Sequence, residues 1–370
     1  MHRPSRLRAG VPATGVAALA VGLLVVAAGG CRTLPPAPPC SCAAALAAGG
    51  ASCPPLAAAP AGTAAPAPTN LVFEGGGVKG VAYGGALQVL AAVGGLERVE
   101  RVGGTSAGSI TALLVALGYS AEEITAIILD LDFRRFRDGT FLRDSERLFE
   151  EYGWYPGNTA TCLFECLVER RLGDRLATFA DLHRRAATDP AFRDLYVVAT
   201  DLDRSHWVVF SHESPQHADV PLAHAVRASM SIPFYFTAQR IAGQTLVDGG
   251  VMRNYPIDLF DRADPSSATL GFFLGGLGPE VEVKDFEQFT KQVIESLVAV
   301  QNADFCVEPD NIRRSVFIDP LGIATTDFDL TLEQKCALIR SGAAGLRAHL
   351  EAPATECPQR LHRDDPRSGG

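Results

Sequence analysis

Three short constellations in this chain combine residue types suited to acyl transfer. The first is Gly104-Thr105-Ser106-Ala107-Gly108, a serine with glycine two positions away on either side. A serine hydroxyl attacks a carbonyl when a base activates it and donors stand ready for the developing oxyanion. The G-x-S-x-G spacing suits a sharp strand-to-helix turn with the serine at its apex and the glycines admitting close backbone approach. A helix starting at the serine also aims its amide dipoles at developing negative charge. The pentapeptide carries this meaning only between a strand and a helix. Both are predicted: residues 100–102 read as a strand, and Ile110, Leu113, Leu114 and Leu117 have helical spacing up to a stop at Gly118.

The second constellation is Gly75-Gly76-Gly77-Val78-Lys79-Gly80, directly after the strand-like Asn70-Leu71-Val72-Phe73. Consecutive glycine amides form an anion nest, which is what a tetrahedral oxyanion needs. Lys79 either adds positive charge there or points into solvent. The same residues fit G-x-G-x-x-G, the dinucleotide-binding fingerprint, which requires an acidic residue at the end of the next strand. Glu97 has about the right separation but falls before that strand, so the dinucleotide reading loses on position. The third constellation is Asp248-Gly249-Gly250 after Thr245-Leu246-Val247. A carboxylate at a strand end, backed by glycines, can approach a serine hydroxyl unobstructed. At its ordinary pKa of about 3.9 it is too weak a base, so burial would have to raise its proton affinity. The alternative is an Asp-Gly pair that only shapes a turn.

The elements around these motifs alternate. Helical spacing runs over 81–93, 121–130, 163–172, 220–229, 284–304 and 331–350. Further strands are predicted at 195–199, 207–211, 245–247, 270–274 and 316–318. This alternation implies an α/β fold of three layers with a mostly parallel sheet. With 47% hydrophobic and 20% charged residues, the chain has the composition of a globular protein. Its net charge of −9 and lack of a basic tract argue against nucleic acid, whose phosphates require clustered Lys and Arg.

The N-terminus reads differently. Arg3, Arg6 and Arg8 precede an uncharged apolar run from Gly10 to Gly30, the layout of a secretory signal. The run ends in Ala28-Gly29-Gly30-Cys31 and resembles a bacterial lipoprotein signal, with a diacylglycerol expected on Cys31. A cleaved soluble-export signal or an uncleaved anchor are the alternatives, the run being about long enough to span a bilayer. The expected layout is a signal at 1–30, an Ala/Pro-rich linker at 31–68, one catalytic domain at 69–350 and a polar tail at 351–370. The expected location is the bacterial cell envelope, tethered through Cys31. Arg32, rather than Asp, after that cysteine leans toward an outer membrane; secretion or a periplasmic location is the alternative. Of nine cysteines, Cys31, Cys40, Cys42 and Cys53 lie in anchor and linker. Export permits disulfides, but Cys162, Cys166, Cys306, Cys336 and Cys357 show no regular framework. Cys162 and Cys166, at i and i+4 without a neighbouring histidine, read as buried apolar residues rather than a metal pair.

Taken in order, the three constellations resemble the patatin-like phospholipase family. The resemblance covers about residues 69–350. It extends to Ala199-Thr200-Asp201-Leu202, to Arg227-Ala228-Ser229-Met230-Ser231-Ile232-Pro233-Phe234, and to Thr331-Leu332-Glu333-Gln334-Lys335. It implies Ser106 as nucleophile and Asp248 as base. It also implies an oxyanion hole from the Gly75–Gly80 loop, particularly around Gly76 and Gly77. Lys79 stands where family members often have Arg. The implied activity is hydrolysis of carboxylic esters of membrane lipids, phospholipid or lysophospholipid, through an acyl-enzyme, with no cofactor and no metal. A dyad suits lipid esters, whose alcohol leaving group needs less acid assistance than an amine.

Two rivals remain in view. A Ser-Asp-His triad would need a histidine after Asp248. Only His349, in a predicted helix, and His362, in the tail, qualify, while His206 and His224 precede it. A non-enzymatic lipid-binding lipoprotein on the same fold is the other. Finally, Phe133 to Phe149 interleaves Arg134, Arg135 and Arg137 with Phe133, Phe136 and Phe141. It reads either as a lipid-headgroup contact or as a solvated helix end with anchoring aromatics.

Overall fold

The run Leu71-Val72-Phe73 has no polar alternation, and a computed structural model shows why: its strand is buried on both faces. The structure describes residues 41–42, 50–57, 67–139, 147–148, 150–262, 268–275 and 282–357. The expected signal, Cys31, most of the expected linker and residues 358–370 lie outside the described residues.

The strands in chain order are β1 (Asn70–Phe73), β2 (Arg101–Thr105), β3 (Gly153–Tyr155), β4 (Asp194–Asp201), β5 (His206–Phe210), β6 (Phe234–Phe236), β7 (Gln239–Ile241), β8 (Gln244–Asp248), β9 (Thr269–Phe273) and β10 (Ser315–Phe317). The helices are α1 (Ala82–Ala92), α2 (Ala107–Ala116), α3 (Ala121–Asp130), α4 (Asn158–Leu172), α5 (Phe179–Ala186), α6 (Leu222–Ser229), α7 (Phe286–Phe305), α8 (Pro309–Arg313) and α9 (Leu332–Glu351).

The main sheet runs β10-β9-β1-β2-β4-β8-β7, with β5 also on β4; β3 and β6 form a separate pair. From β10 to β4 all pairings are parallel, while β5, β7 and β8 join antiparallel. The sheet is therefore mixed and mostly parallel, as expected. Successive residues feed opposite faces: Leu71 and Phe73 enter one core and Val72 the other, and Phe272 and Phe273 divide likewise. Helices α1 to α6 and α9 supply the larger core, whereas α8 and the end of α7, through Ile312 and Phe305, cover the second face. The result is three layers, α/β/α.

β4 is the strand that matters for chemistry. One of its edges pairs with β5, so β2 and β8 must share the other. β2 occupies it as far as Val198, opposite Thr105; β8 takes over at Ala199, opposite Asp248. Adjacent β4 residues thus seat the ends of two strands distant in sequence.

The cysteines correct the sequence reading. Cys42 is bonded to Cys166, Cys53 to Cys336 and Cys306 to Cys357, and Cys162 is disulfide-bonded as well. Cys162 and Cys166 are thus cross-linking residues, not free apolar ones. The described parts of the expected linker are not loose. Ala51, Cys53 and Leu56 pack on the main core, and Ala51 N–H donates to Asp130 Oδ1 at 3.1 Å. The start of the expected tail is likewise fastened, through Cys357. A disulfide partner is set by three-dimensional proximity, which spacing along the chain does not reveal.

Candidate active site

β2 ends at Thr105 and α2 begins at Ala107, so Ser106 alone makes the turn. Its φ is 52° and its ψ −123°, a conformation that costs a non-glycine residue about 1–3 kcal/mol. Its surroundings hold it there. Ser106 N–H donates to Ser229 Oγ at 2.9 Å, and that hydroxyl donates to Val198 O at 2.6 Å. Ser106 O accepts from Ser109 Oγ at 2.6 Å. A side chain at Gly108 would strike the carbonyl oxygens of Phe73 and Glu74, and one at Gly104 the backbone of Gly108. The elbow closes because both positions are glycine.

The β4 pairing brings the carboxylate to the serine. Ser106 Oγ donates to Asp248 Oδ2 at 2.7 Å, and Gly250 N–H donates to Asp248 Oδ1 at 2.7 Å. Both side chains are buried, at 6% and 5% exposure. Burial lifts the Asp248 carboxyl from 3.8 to about 6, against the opposing hydrogen bonds from Ser106 and Gly250. A group with that affinity is a better proton acceptor than an ordinary carboxylate and is still ionised at neutral pH.

The glycine loop lies beside the serine, where a Cβ on Gly75 would sit 3.3 Å from Ser106 Cβ. Three of its amides are committed: Gly75 N–H to Asn254 O, Val78 N–H to Thr325 O and Lys79 N–H to Gly76 O. Gly80 lies inside a 3-10 turn, Gly77–Val81, and Gly76 and Gly77 donate to no group among the described residues, which leaves these two as the candidate donors. Gly77 has a φ of +55°, and a Cβ there would overlap Thr325 O, so glycine is required. Lys79 is 7% exposed and does not point freely into solvent.

Three residues without an assigned role in the motif reading hold this site. Ser229, at the end of α6, fixes the Ser106 amide. Asn254 clamps two loops: its Nδ2 donates to Gly75 O at 3.1 Å and to Glu74 Oε1 at 2.9 Å. Glu74, which also accepts from Leu274 N–H at 2.6 Å, is pushed by burial to about 7, the charge of Lys79 opposing. The signal for them was the stretch Arg227–Phe234 and the residues just past Asp248-Gly249-Gly250, whose roles only contact geometry reveals.

No histidine contacts Ser106 or Asp248 among the described residues. His224 Nε2 faces Glu165, His217 bridges Ser214 and Gln244, and His349 lies in α9. Two groups of metal-capable side chains lie elsewhere. In Cys42, Cys166 and Glu169 the sulfurs are joined as a disulfide. In His183, Asp194 and His212 the imidazoles are parallel, 3.8 Å between centroids, so their in-plane lone pairs do not converge on one ion. The Phe133–Phe149 stretch, where described, follows the anchoring reading. Phe136 is buried against Phe164, Arg134 pairs with Asp132, and Arg137 pairs with Asp329. Phe141 and Phe149 lie outside the described residues.

A strained serine elbow, a buried carboxylate on its hydroxyl and an open pair of glycine amides are the groups that acyl transfer requires. The description of the patatin-like phospholipase family matches residues 71–261, which include all three. An uncharacterized protein, YqhO, of Bacillus subtilis (strain 168) is 30% identical over 293 residues, 73% of this chain and 94% of its own length. The chain belongs to the patatin-like phospholipase family. A member of this family is an ester-hydrolysing enzyme. A probable lipid hydrolase, 463L, of Invertebrate iridescent virus 6 is 25% identical over 192 residues, 51% of this chain and 62% of that protein. Among solved structures, VipD from Legionella pneumophila shares the patatin-like fold. It has a TM-score of 0.54 and 20% identity over 80% of this chain and 70% of its own.

Proposed function

We propose that the protein is a serine lipid acyl-hydrolase of the phospholipase A or lysophospholipase type, working through a Ser106–Asp248 dyad. The observation that carries this reading is the 2.7 Å hydrogen bond from Ser106 Oγ to a buried Asp248 whose proton affinity is raised. Asp248 takes the Ser106 proton as Oγ bonds to the ester carbonyl carbon. The amides of Gly76 and Gly77 receive the oxyanion, and the protonated Asp248 returns its proton to the departing alcohol. Water, deprotonated by Asp248, then attacks the acyl carbon, and Asp248 passes that proton to Ser106 Oγ as the C–Oγ bond breaks and the fatty acid leaves. The lipid class of the substrate is inferred from the family and from the similarity to a probable lipid hydrolase.

An exported, Cys31-tethered protein of the bacterial envelope remains part of the proposal. Its support is the sequence of residues 1–31 and the disulfides, which persist in oxidising compartments. The test of activity is hydrolysis of a chromogenic short-chain ester and of a fluorogenic phospholipid by wild type, Ser106→Ala and Asp248→Asn. Turnover by wild type and loss in both folded variants is expected. A fully active Ser106→Ala protein would dismiss the proposal.

A further inference from the structure

Helix α7 turns an apolar stripe to solvent. Phe289, Val293, Leu297 and Val300 are 54, 41, 39 and 65% exposed, and their spacing places them along one face. A surface helix ordinarily presents polar residues outward, so four apolar side chains along one exposed face depart from the usual pattern. The flank of this helix next to the stripe, at Gln301, i+4 from Leu297, rests on the catalytic loops. Gln301 Nε2 donates to Gly250 O at 2.9 Å, and Gln301 Oε1 accepts from Asn254 N–H at 2.7 Å. Glu295 acts electrostatically on Glu74, the residue leading into the glycine loop. Met252, 38% exposed, follows the Asp248-Gly249-Gly250 turn, and α7 also touches β6, where Phe234 is 46% exposed.

We propose that the outward stripe of α7 is the face by which the protein docks on a lipid–water interface, presenting the dyad loop to lipid. This rests on the acyl-hydrolase reading above. Area argues against a second copy of the chain as the occupant. Four side chains over three turns cover about 16 Å by about 10 Å of helix surface, far short of the ~800 Å² per partner of a stable protein interface. A lipid surface needs no such patch, because each inserted apolar side chain adds to partitioning. The helix holds one lysine and three acidic residues, so the surface it suits is zwitterionic rather than anionic.

The test uses the full chain and two variants. Leu297→Trp places a reporter on the stripe, read with phosphatidylcholine vesicles whose acyl chains are brominated, against wild type with its native Trp154 and Trp207. The added emission is expected to be quenched. Val293→Gln/Leu297→Gln/Val300→Gln replaces three of the stripe's four exposed side chains without changing charge or weakening helix propensity. It should keep turnover of a water-soluble monomeric ester within about twofold and lose roughly tenfold or more on phosphatidylcholine vesicles. An unquenched reporter or an unchanged vesicle rate overturns the docking face. The hydrolase reading survives that result if monomeric-ester turnover still requires Ser106. Loss of both rates would instead place the stripe in the catalytic machinery. A wild-type dimer that the triple variant abolishes would make a second copy the occupant. A quenched reporter with no ester turnover leaves docking in place and removes the hydrolase reading.

Discussion

Replacing Asp248 with asparagine should move activity and stability in opposite directions. Burial lifts this carboxyl from 3.8 to about 6. Between those pH values the native state binds a proton that the unfolded chain has released, so the group's contribution to stability falls as pH rises through that window. Above pH 6 the deficit is constant, at about two pKa units or about 3 kcal/mol. Asparagine has the same shape and no charge, and can accept from Gly250 N–H while donating to Ser106 Oγ. At pH 8 the variant should therefore be the more stable protein by up to ~3 kcal/mol, with Tm raised by about 2 °C per kcal/mol. At pH 4, where the native carboxyl is protonated and the unfolded one about half ionised, the difference should shrink to below about 1 kcal/mol. Hydrolysis should fall by about 10²–10⁴-fold, the usual contribution of a general base. Calorimetry at pH 4 and pH 8, alongside a chromogenic-ester assay, measures both. A variant no more stable than wild type at pH 8, or one within tenfold of its activity, would refute the reasoning.

Ser229→Ala leaves the Ser106 N–H unbonded in a buried site. It should cost about 1–3 kcal/mol of stability and lower kcat by roughly tenfold with KM little changed; a lowered Tm with full kcat per folded molecule would make Ser229 merely structural. Because the ionised Asp248 is the base, kcat/KM should rise with pH through about 6 and level off above it. A profile flat across pH 5–7 would disagree. The Cys53–Cys336 bond joins residues 283 apart, so Cys53→Ser/Cys336→Ser should lose as much as about 5 kcal/mol, read as a lower guanidinium midpoint; an unchanged midpoint would show the bond to be dispensable.

Much of the site was legible because its residues are local signals. Gly104 and Gly108 must be glycine where a helix starts this close to its strands: Phe73 and Glu74 obstruct a side chain at Gly108, and the Gly108–Ser109 backbone obstructs one at Gly104. Asp248 was legible by its place at a strand end. That it meets Ser106 was not, since this depends on β2 and β8 dividing one edge of β4. Ser229 and Asn254 act through single hydrogen bonds to distant backbone, which no spacing rule encodes. The three-residue strands β3, β6 and β7 are too short to show periodicity, and β10, equally short, was legible only as the apolar run Val316-Phe317-Ile318. The thiol of Cys166 looked apolar because its partner, Cys42, lies 124 residues away in the chain. The Thr178–Asp181 capping box that starts α5 was a readable signal that the periodicity reading passed over.

The central claim is that Ser106 is the nucleophile and Asp248 its base. A tagged fluorophosphonate, which a serine activated by a base displaces at phosphorus with loss of fluoride, tests it most directly when the labelled peptide is mapped by mass spectrometry. One phosphonyl group per chain on Ser106 is expected, with no labelling of Ser106→Ala and labelling of Asp248→Asn slowed by about 10² or more. Labelling at another residue while ester turnover continues, or equal labelling rates in wild type and Asp248→Asn, would contradict the account.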